Sequence, residues 1–294
     1  MSTTKMQVVQ PSPKKKDGKK RKRTPKYTAA TADRYELYQL AVQSPETDIE
    51  FLAKTYRRIR GRAARHMRED FCGTALLCSH WVKQGDRYTA EGFDLDKEPL
   101  DWGKAHNIDP LGDDAQRITL NLADARDPGE KAPDVRIAQN FSYFIFQKRN
   151  ELLDYFKKVR ESLAPGGIFV MDLFGGDESI SILEEERKIE EGFTYVWDQA
   201  VFFPGTHEYH CNIHFHFKDG SKIKNAFTYQ WRFYSMPELK DLLADAGFQE
   251  VHAYFEEADD EDDDGDGNGE FILDEKGETS QDCAGWIAYL VAYD

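Results

Sequence analysis

Glu69-Asp70-Phe71-Cys72-Gly73-Thr74-Ala75 joins a strand-like stretch, residues 63–71, to a helical one, residues 75–83. A small-residue turn between strand and helix lets backbone approach a ligand and aims the helix N–H groups at it. Outward from that turn the pattern repeats. Residues 88–95, 117–122, 135–143 and 168–174 are strand-like; residues 98–106 and 147–163 have helical spacing. Strict alternation of strand and helix predicts parallel strands joined by crossovers, an α/β doubly wound, Rossmann-like sheet. Leu163-Ala164-Pro165-Gly166-Gly167 ends one helix sharply and turns into the fifth strand.

Two acids follow the turn at strand ends. Gly92-Phe93-Asp94-Leu95-Asp96 closes the second strand about twenty residues on, where a ribose hydroxyl sits in dinucleotide folds. Ala123-Asp124-Ala125 closes the third. All three features fall at carboxyl ends of adjacent strands, where open α/β sheets bind ligands.

Before residue 63, apolar residues at helical spacing predict two helices across 35–59, broken at Ser44-Pro45. After residue 174 the texture changes. Residues 193–203, 207–217 and 222–233 read as antiparallel strands, two of them joined at Asp219-Gly220. A helix is expected over 235–247, with closing strands at 250–255 and 286–293 and an acidic loop between them. The expectation is a mostly parallel seven-stranded sheet with an antiparallel β insert after strand five. Residues 1–30 form a disordered basic tail and 31–294 a single domain. Within it, 31–62 is a helical cover, 63–175 the cofactor-binding core, 176–234 the insert and 235–294 the closing region, with its acidic loop at 256–270.

Composition bounds the function. Apolar residues make up 40% of the chain and aromatics 13%, enough for a real core. No run of 18 apolar residues occurs, so no membrane span is expected. The N-terminus lacks the apolar stretch of a secretory signal, and the four cysteines show no CxxC pairing. A reduced, cytoplasmic protein is the expectation. Residues 1–30 carry ten Lys or Arg and one acid. Removing that +9 from the net charge of −15 leaves −24 on the remainder, which would repel a polyphosphate backbone. Nucleic acid is therefore disfavoured as substrate, although the tail alone could touch it.

CGTA, GFDLD, LADA, the QNFSY strand end and LAPGG followed by IFVMDLFGG together resemble the ordered motifs of class I S-adenosylmethionine-dependent methyltransferases. The resemblance covers about residues 63–175, and SMPELKDLLADAGFQEV from Ser235 resembles the closing region. It implies S-adenosyl-L-methionine as cofactor. Glu69 then takes the place of the acid near the methionine amino group. Cys72 and Gly73 line the turn, Asp94 takes the ribose hydroxyls, and Asp124 meets the adenine amino group. Gln139, at the fourth strand's end, joins this cofactor-binding set. Phe71 and Ala75 stand where the family has glycine, and Asp70 where an apolar residue is usual. The turn's shape is thereby open, and Asp70 could exchange roles with Glu69.

Methyl transfer needs an in-line nucleophile held close, and a base only if the acceptor arrives protonated. Asn140-Phe141-Ser142-Tyr143 has the spacing of the N-P-P-Y motif of methyltransferases acting on nitrogen, without its prolines. The resemblance makes Asn140 and Tyr143 the candidate catalytic pair, one accepting a hydrogen bond and one stacking. Ordinary strand-end packing is the alternative. The acceptor is expected to be small or medium-sized, with N-methylation favoured over O-methylation. A non-catalytic RNA- or protein-binding module on a relic fold is the reading of another class.

Two other patterns compete. His210, Asn212, His214 and His216 share one strand face, which faces water, lines an acceptor pocket or holds an ion; no metal is assigned. Asp264, Asp266, Asn268, Gly269 and Glu275 satisfy an EF-hand pattern, but flanking helices are not expected there.

Overall fold

The computed structural model describes residues 26–258 and 267–294. Two helices lead, α1 (Arg34–Val42) and α2 (Pro45–Arg60). Pro45 occupies the first turn of α2, where its missing N–H costs nothing, and separates the two. The strands β1 (His66–Asp70), β2 (Thr89–Asp94), β3 (Ile118–Leu122), β4 (Val135–Ala138) and β5 (Ile168–Gly175) then alternate with α3 (Leu76–Val82), α4 (Lys97–Gly103) and α5 (Arg149–Ser162). The insert follows as β6 (Leu183–Ile189), β7 (Phe193–Phe203), β8 (Glu208–Phe217) and β9 (Lys222–Arg232). The chain closes with α6 (Met236–Asp245), β10 (Glu250–Ala258), β11 (Gly267–Leu273) and β12 (Trp286–Tyr293).

The main sheet has the order β11-β10-β12-β5-β4-β1-β2-β3. β1 to β5 pair in parallel, and β12, β10 and β11 are antiparallel. The chain leaves β1 toward β2 and β3, then returns to lay β4 on β1's other side. That reversal opens the crevice at the carboxyl ends of β1 and β4. The sheet has eight strands where seven were expected. The eighth, β11, lies in the stretch read as acidic loop. Phe271 seats it, its ring centroid 4.3 Å from that of Tyr289 and 5.6 Å from that of Phe51. β6 was also unforeseen: Glu184-Glu185-Glu186-Arg187-Lys188 is exposed throughout, the charged rim of a four-stranded sheet, and charge hides an edge strand from hydropathy.

Both faces of the main sheet are buried. Phe169, Met171 and Leu173 pack under α5 and α6, while Ile168, Val170 and Ile137 pack under α2 and α3. A third core lies between α1 and the insert, where Leu37 and Ala41 meet Ile213 and Phe215. Tyr27 belongs to it, 5% exposed with its hydroxyl on Glu36 at 2.7 Å, and Ala29 N–H donates to Ser221 Oγ at 2.9 Å. The folded body therefore starts before the boundary expected at residue 30. The rest of the expected tail lies outside the described residues, as do Asp264 and Asp266 of the EF-hand pattern. Strands β10 and β11, not helices, flank that loop. No helix among the described residues is long and apolar enough to cross a membrane.

Candidate active site

The turn after β1 keeps three left-handed residues: Phe71 at φ 57°, Gly73 at 51° and Ala75 at 54°. The two non-glycine positions left the turn's shape open in sequence, yet the backbone adopts the conformation that glycine favours. Each such residue costs about 1–2 kcal/mol, so surrounding contacts must hold it. Cys72 N–H donates to Phe93 O at 2.9 Å and Gly73 N–H to Asp94 Oδ2 at 2.8 Å, lacing the turn to the end of β2. Asn107 Nδ2 donates to Thr74 O, and α1 reaches over with Gln39 Nε2 on Thr74 Oγ1 at 2.7 Å.

A cavity of about 300 Å³ opens beside this turn, between Phe71, Asp94, Leu95, Asp124, Arg126 and Phe146. Asp94 Oδ1 accepts from Asp96 N–H at 2.8 Å, and burial raises its pKa. Asp124 is held by Arg126 in a two-pronged pair, at 2.9 and 2.7 Å, which pulls its carboxyl below the usual range. Both acids line the cavity; Asp124 Oδ1 is filled by the Arg126 N–H and Nε, while Asp124 Oδ2 and both Asp94 oxygens each retain a second lone pair for a ligand.

Glu69 and Asp70, adjacent on a strand, point to opposite faces. Glu69 Oε2 accepts from Cys78 N–H in α3 at 3.1 Å, and burial pushes its carboxyl up to about 8. Neither acid lines the cavity, and Asp70 is tied up on the other face of the sheet. It accepts from Arg68 Nε at 2.8 Å, Arg136 Nε at 2.7 Å and Tyr155 OH at 2.7 Å, all buried. Arg68 Nη2 donates to Ala125 O at 2.7 Å and Nη1 to Asp127 O at 2.9 Å; Arg136 Nη2 also reaches Ala125 O. The cluster thus suspends, from the far side of the sheet, the loop that carries Asp124.

β4 ends at Ala138, five residues earlier than its apolar run predicts, because Asn140 and Phe141 both have left-handed φ, 56° and 58°. Their N–H groups close on Asp172, at 2.7 Å to Oδ2 and 2.9 Å to Oδ1. Gln139 is 7% exposed, and its Nε2 is buried without a hydrogen-bond partner. Tyr143 does not stack on a site. It is wholly buried against Phe144 and Phe156, with its hydroxyl donating to Asp172 O at 2.7 Å. The turn at Ser142–Ile145 rotates it into the core and leaves the half-buried Phe141 at the site.

Asp172 was missed in sequence, although an aspartate inside Phe169-Val170-Met171-Asp172-Leu173-Phe174 is its own signal, since a carboxylate within an apolar strand needs a reason. Burial pushes it to about 7. Asp48 of α2, pushed to about 6 by burial, faces the same region with its carboxylate on Tyr289 OH. Among the described residues, none of Glu69, Asp94, Asp172 and Asp48 has an ion-pair partner.

The histidine face of β8 turns away from this site. Its opposite parity carries Tyr209 and Cys211 into the core. Glu184, Asp198 and His214 offer atoms within 4.8 Å of one another. His214 Nδ1, however, accepts the Asn225 N–H at 2.8 Å. In the neutral ring the proton is then on Nε2, 3.4 Å from Asp198 Oδ2, which removes the lone pair an ion would use.

No family model and no curated protein matches the chain. Solved structures do. An S-adenosylmethionine-dependent methyltransferase from Clostridium acetobutylicum superposes with a TM-score of 0.64 at 15% identity, over 88% of this chain and 97% of the other. CalS10, an amino pentose methyltransferase from Micromonospora echinaspora solved with S-adenosylmethionine bound, gives 0.62 at 15% identity, over 90% and 98%. The sugar N-methyltransferase KedS8 from Streptoalloteichus gives 0.57 at 17%, over 92% and 98%. Strand order, crevice and near-complete coverage agree: this chain has the class I fold of the S-adenosylmethionine-dependent methyltransferases.

Proposed function

We propose that the chain is a methyltransferase that takes its methyl group from S-adenosyl-L-methionine and delivers it to a small-molecule acceptor, at nitrogen. The observation that carries this reading is a pair of carboxyls without ion-pair partners, the buried Glu69 and the half-buried Asp94, at the carboxyl ends of β1 and β2. A site that holds acids away from water and gives them no cation is shaped for a ligand that brings one. S-adenosylmethionine carries two, a sulfonium and an α-ammonium. Glu69 would meet the ammonium, Asp94 the ribose hydroxyls and the Asp124 loop the adenine. The unpartnered Nε2 of Gln139 supplies a donor for the methionine carboxylate. When bound, the cofactor supplies an electrophilic methyl carbon; these residues bind and orient.

Nitrogen is favoured because Asn140 stands at the crevice beside an acidic region, where a neutral or cationic amine is better matched than an alkoxide or carboxylate. The similarity to an amino pentose methyltransferase and a sugar N-methyltransferase points the same way. Thermal melts with S-adenosylhomocysteine or NAD test the cofactor. Stabilisation by the first alone supports the reading, and stabilisation by NAD alone contradicts it.

A further inference from the structure

The inward face of the insert is the roof of the crevice. Across β7, β8 and β9, Tyr195, Trp197 and Tyr229 share that face with Cys211, Ile213 and Phe215. The last three are wholly covered, at 0–2% exposure. Tyr195, Trp197 and Tyr229 are only half-buried, although they point inward, and Tyr195 and Trp197 stand on an interior strand. Inward-pointing rings that keep accessible surface border a gap. Below them Asn140 and Phe141 are also half-buried, and Asp172 lies directly beneath, gripped by their N–H groups. Tyr38 of α1 joins roof to floor: its hydroxyl stands beside that of Tyr229 and lies within the field of Asp172.

Rings and a carboxylate with no counter-ion define a ligand class. Aromatic faces are negative and attract ammonium groups, and water-excluded carboxylates do so more strongly. An anionic or phenolic acceptor would meet repulsion from Asp172, while the Arg187 guanidinium at the Tyr195 end of the face, 5.6 Å from that ring's centroid, is held on Ala41 O. Among the described residues Asp172 has no ion-pair partner, and the groups acting on it are the Asn140 and Phe141 N–H groups and Asp48.

We propose, resting on the methyltransferase reading, that the acceptor is an aliphatic amine which enters as its ammonium between the rings of Tyr195, Trp197 and Tyr229, and that Asp172 takes its proton. The ammonium gives one proton to the Asp172 carboxylate, directly or through one water, which frees the nitrogen lone pair. That pair forms the new N–C bond as the C–S bond breaks, its electrons staying on sulfur. The sulfonium charge is lost, the methylated nitrogen leaves as an ammonium, and Asp172 passes its proton to solvent. Burial sets Asp172 at about 7, suited to a base at neutral pH. The other titratable groups facing it are Tyr38 from α1, Asp48 from α2 and Tyr289 from β12, with Tyr143 on its backbone carbonyl.

The test offers secondary aliphatic amines, phenols and carboxylic acids to the full chain with methyl-labelled S-adenosylmethionine, beside calorimetry with S-adenosylhomocysteine. Label on amines alone is expected. Asp172→Asn should cut transfer about a hundredfold or more and abolish the rise in rate across pH 6–8, with cofactor affinity retained. Should Asp172→Asn fail to fold, Tyr229→Leu serves, raising the KM for amine about tenfold or more with kcat little changed. Cofactor binding with label only on oxygen, or on nothing, overturns this proposal alone. So does a wild-type pH profile in a folded Asp172→Asn, or an unchanged amine KM in Tyr229→Leu. Failure to bind S-adenosylhomocysteine overturns the methyltransferase reading and this proposal with it.

Discussion

Gly73 N–H donates to Asp94 Oδ2 at 2.8 Å, so the turn after β1 is fastened to the end of β2 by the chain's own contacts. This tie explains how Phe71 and Ala75 hold left-handed conformations where glycine would be easier. The Phe71 ring adds its own hold, packing 5.7 Å from Tyr155 and 6.0 Å from Phe146. The cradle is preformed by sequence-distant contacts instead of by glycine content.

Seating of α4 on this turn gives one prediction. A Cβ on Gly103 would lie 2.2 Å from Thr74 O, whereas one on Gly73 meets nothing within 4 Å. Gly103→Ala should lower the melting temperature by many degrees and weaken S-adenosylhomocysteine binding with it. Gly73→Ala should cost only the left-handed strain, about 1–2 kcal/mol. Comparable melts for the two variants would mean that the close approach of α4 to the turn is unimportant.

Asp70 gives a second. Asp70→Asn leaves two buried guanidiniums, each 1% exposed, short of their shared carboxylate. Breaking a buried pair costs about 3–5 kcal/mol. Urea unfolding should show a loss of that order; a wild-type midpoint would show that Arg68 and Arg136 are satisfied without it, by the Ala125 and Asp127 carbonyls and Ser162.

The contrast between Glu69 and Asp70 marks how far sequence could reach. Alternation of strand and helix, the insert's period-two pattern and the acids at three strand ends were legible, and the sheet follows from them. Which side of the sheet each of the two adjacent acids takes was not, because strand parity assigns a side only once the helices covering each face are known. Tyr143 failed for a related reason: two left-handed residues at Asn140 and Phe141 shift the register of everything after them, and neither is a glycine that would announce it. β6 and β11 hid behind charge. Asp172 was visible as a lone acid in an apolar strand, but its role needed the roof above it.

A third prediction concerns pH. Burial holds the protons of Glu69, Asp172 and Asp48 to about 8, 7 and 6. In the unfolded chain such carboxyls release them near pH 4. Between about 4 and 8 the folded chain therefore binds more protons, and its stability falls as pH rises. Melts from pH 5 to 8 should decline without ligand. Binding of S-adenosylhomocysteine, whose ammonium favours the ionised acids, should release protons, seen as buffer-dependent heats of binding. A stability that rises over this window, or ligand binding with proton uptake, would contradict the assignment.

A fourth concerns the floor of the crevice. Asn140→Gly removes the side chain while keeping the left-handed backbone that grips Asp172, and is the cleaner test than alanine. It should hold cofactor affinity within about threefold and cut transfer about a hundredfold. Tyr143→Phe should instead cost about 1 kcal/mol of stability, with transfer little changed, since its hydroxyl only satisfies Asp172 O. Full activity in Asn140→Gly would return the Asn140–Tyr143 segment to strand-end packing.

The central claim is that this crevice binds S-adenosylmethionine through Asp94, and calorimetry with S-adenosylhomocysteine on the wild type and Asp94→Ala tests it most directly. The account predicts one site per chain, weakened in the mutant by about 1.5–3 kcal/mol, roughly ten- to a hundredfold. Absence of binding to the wild type, or equal affinity in the two proteins, would contradict it.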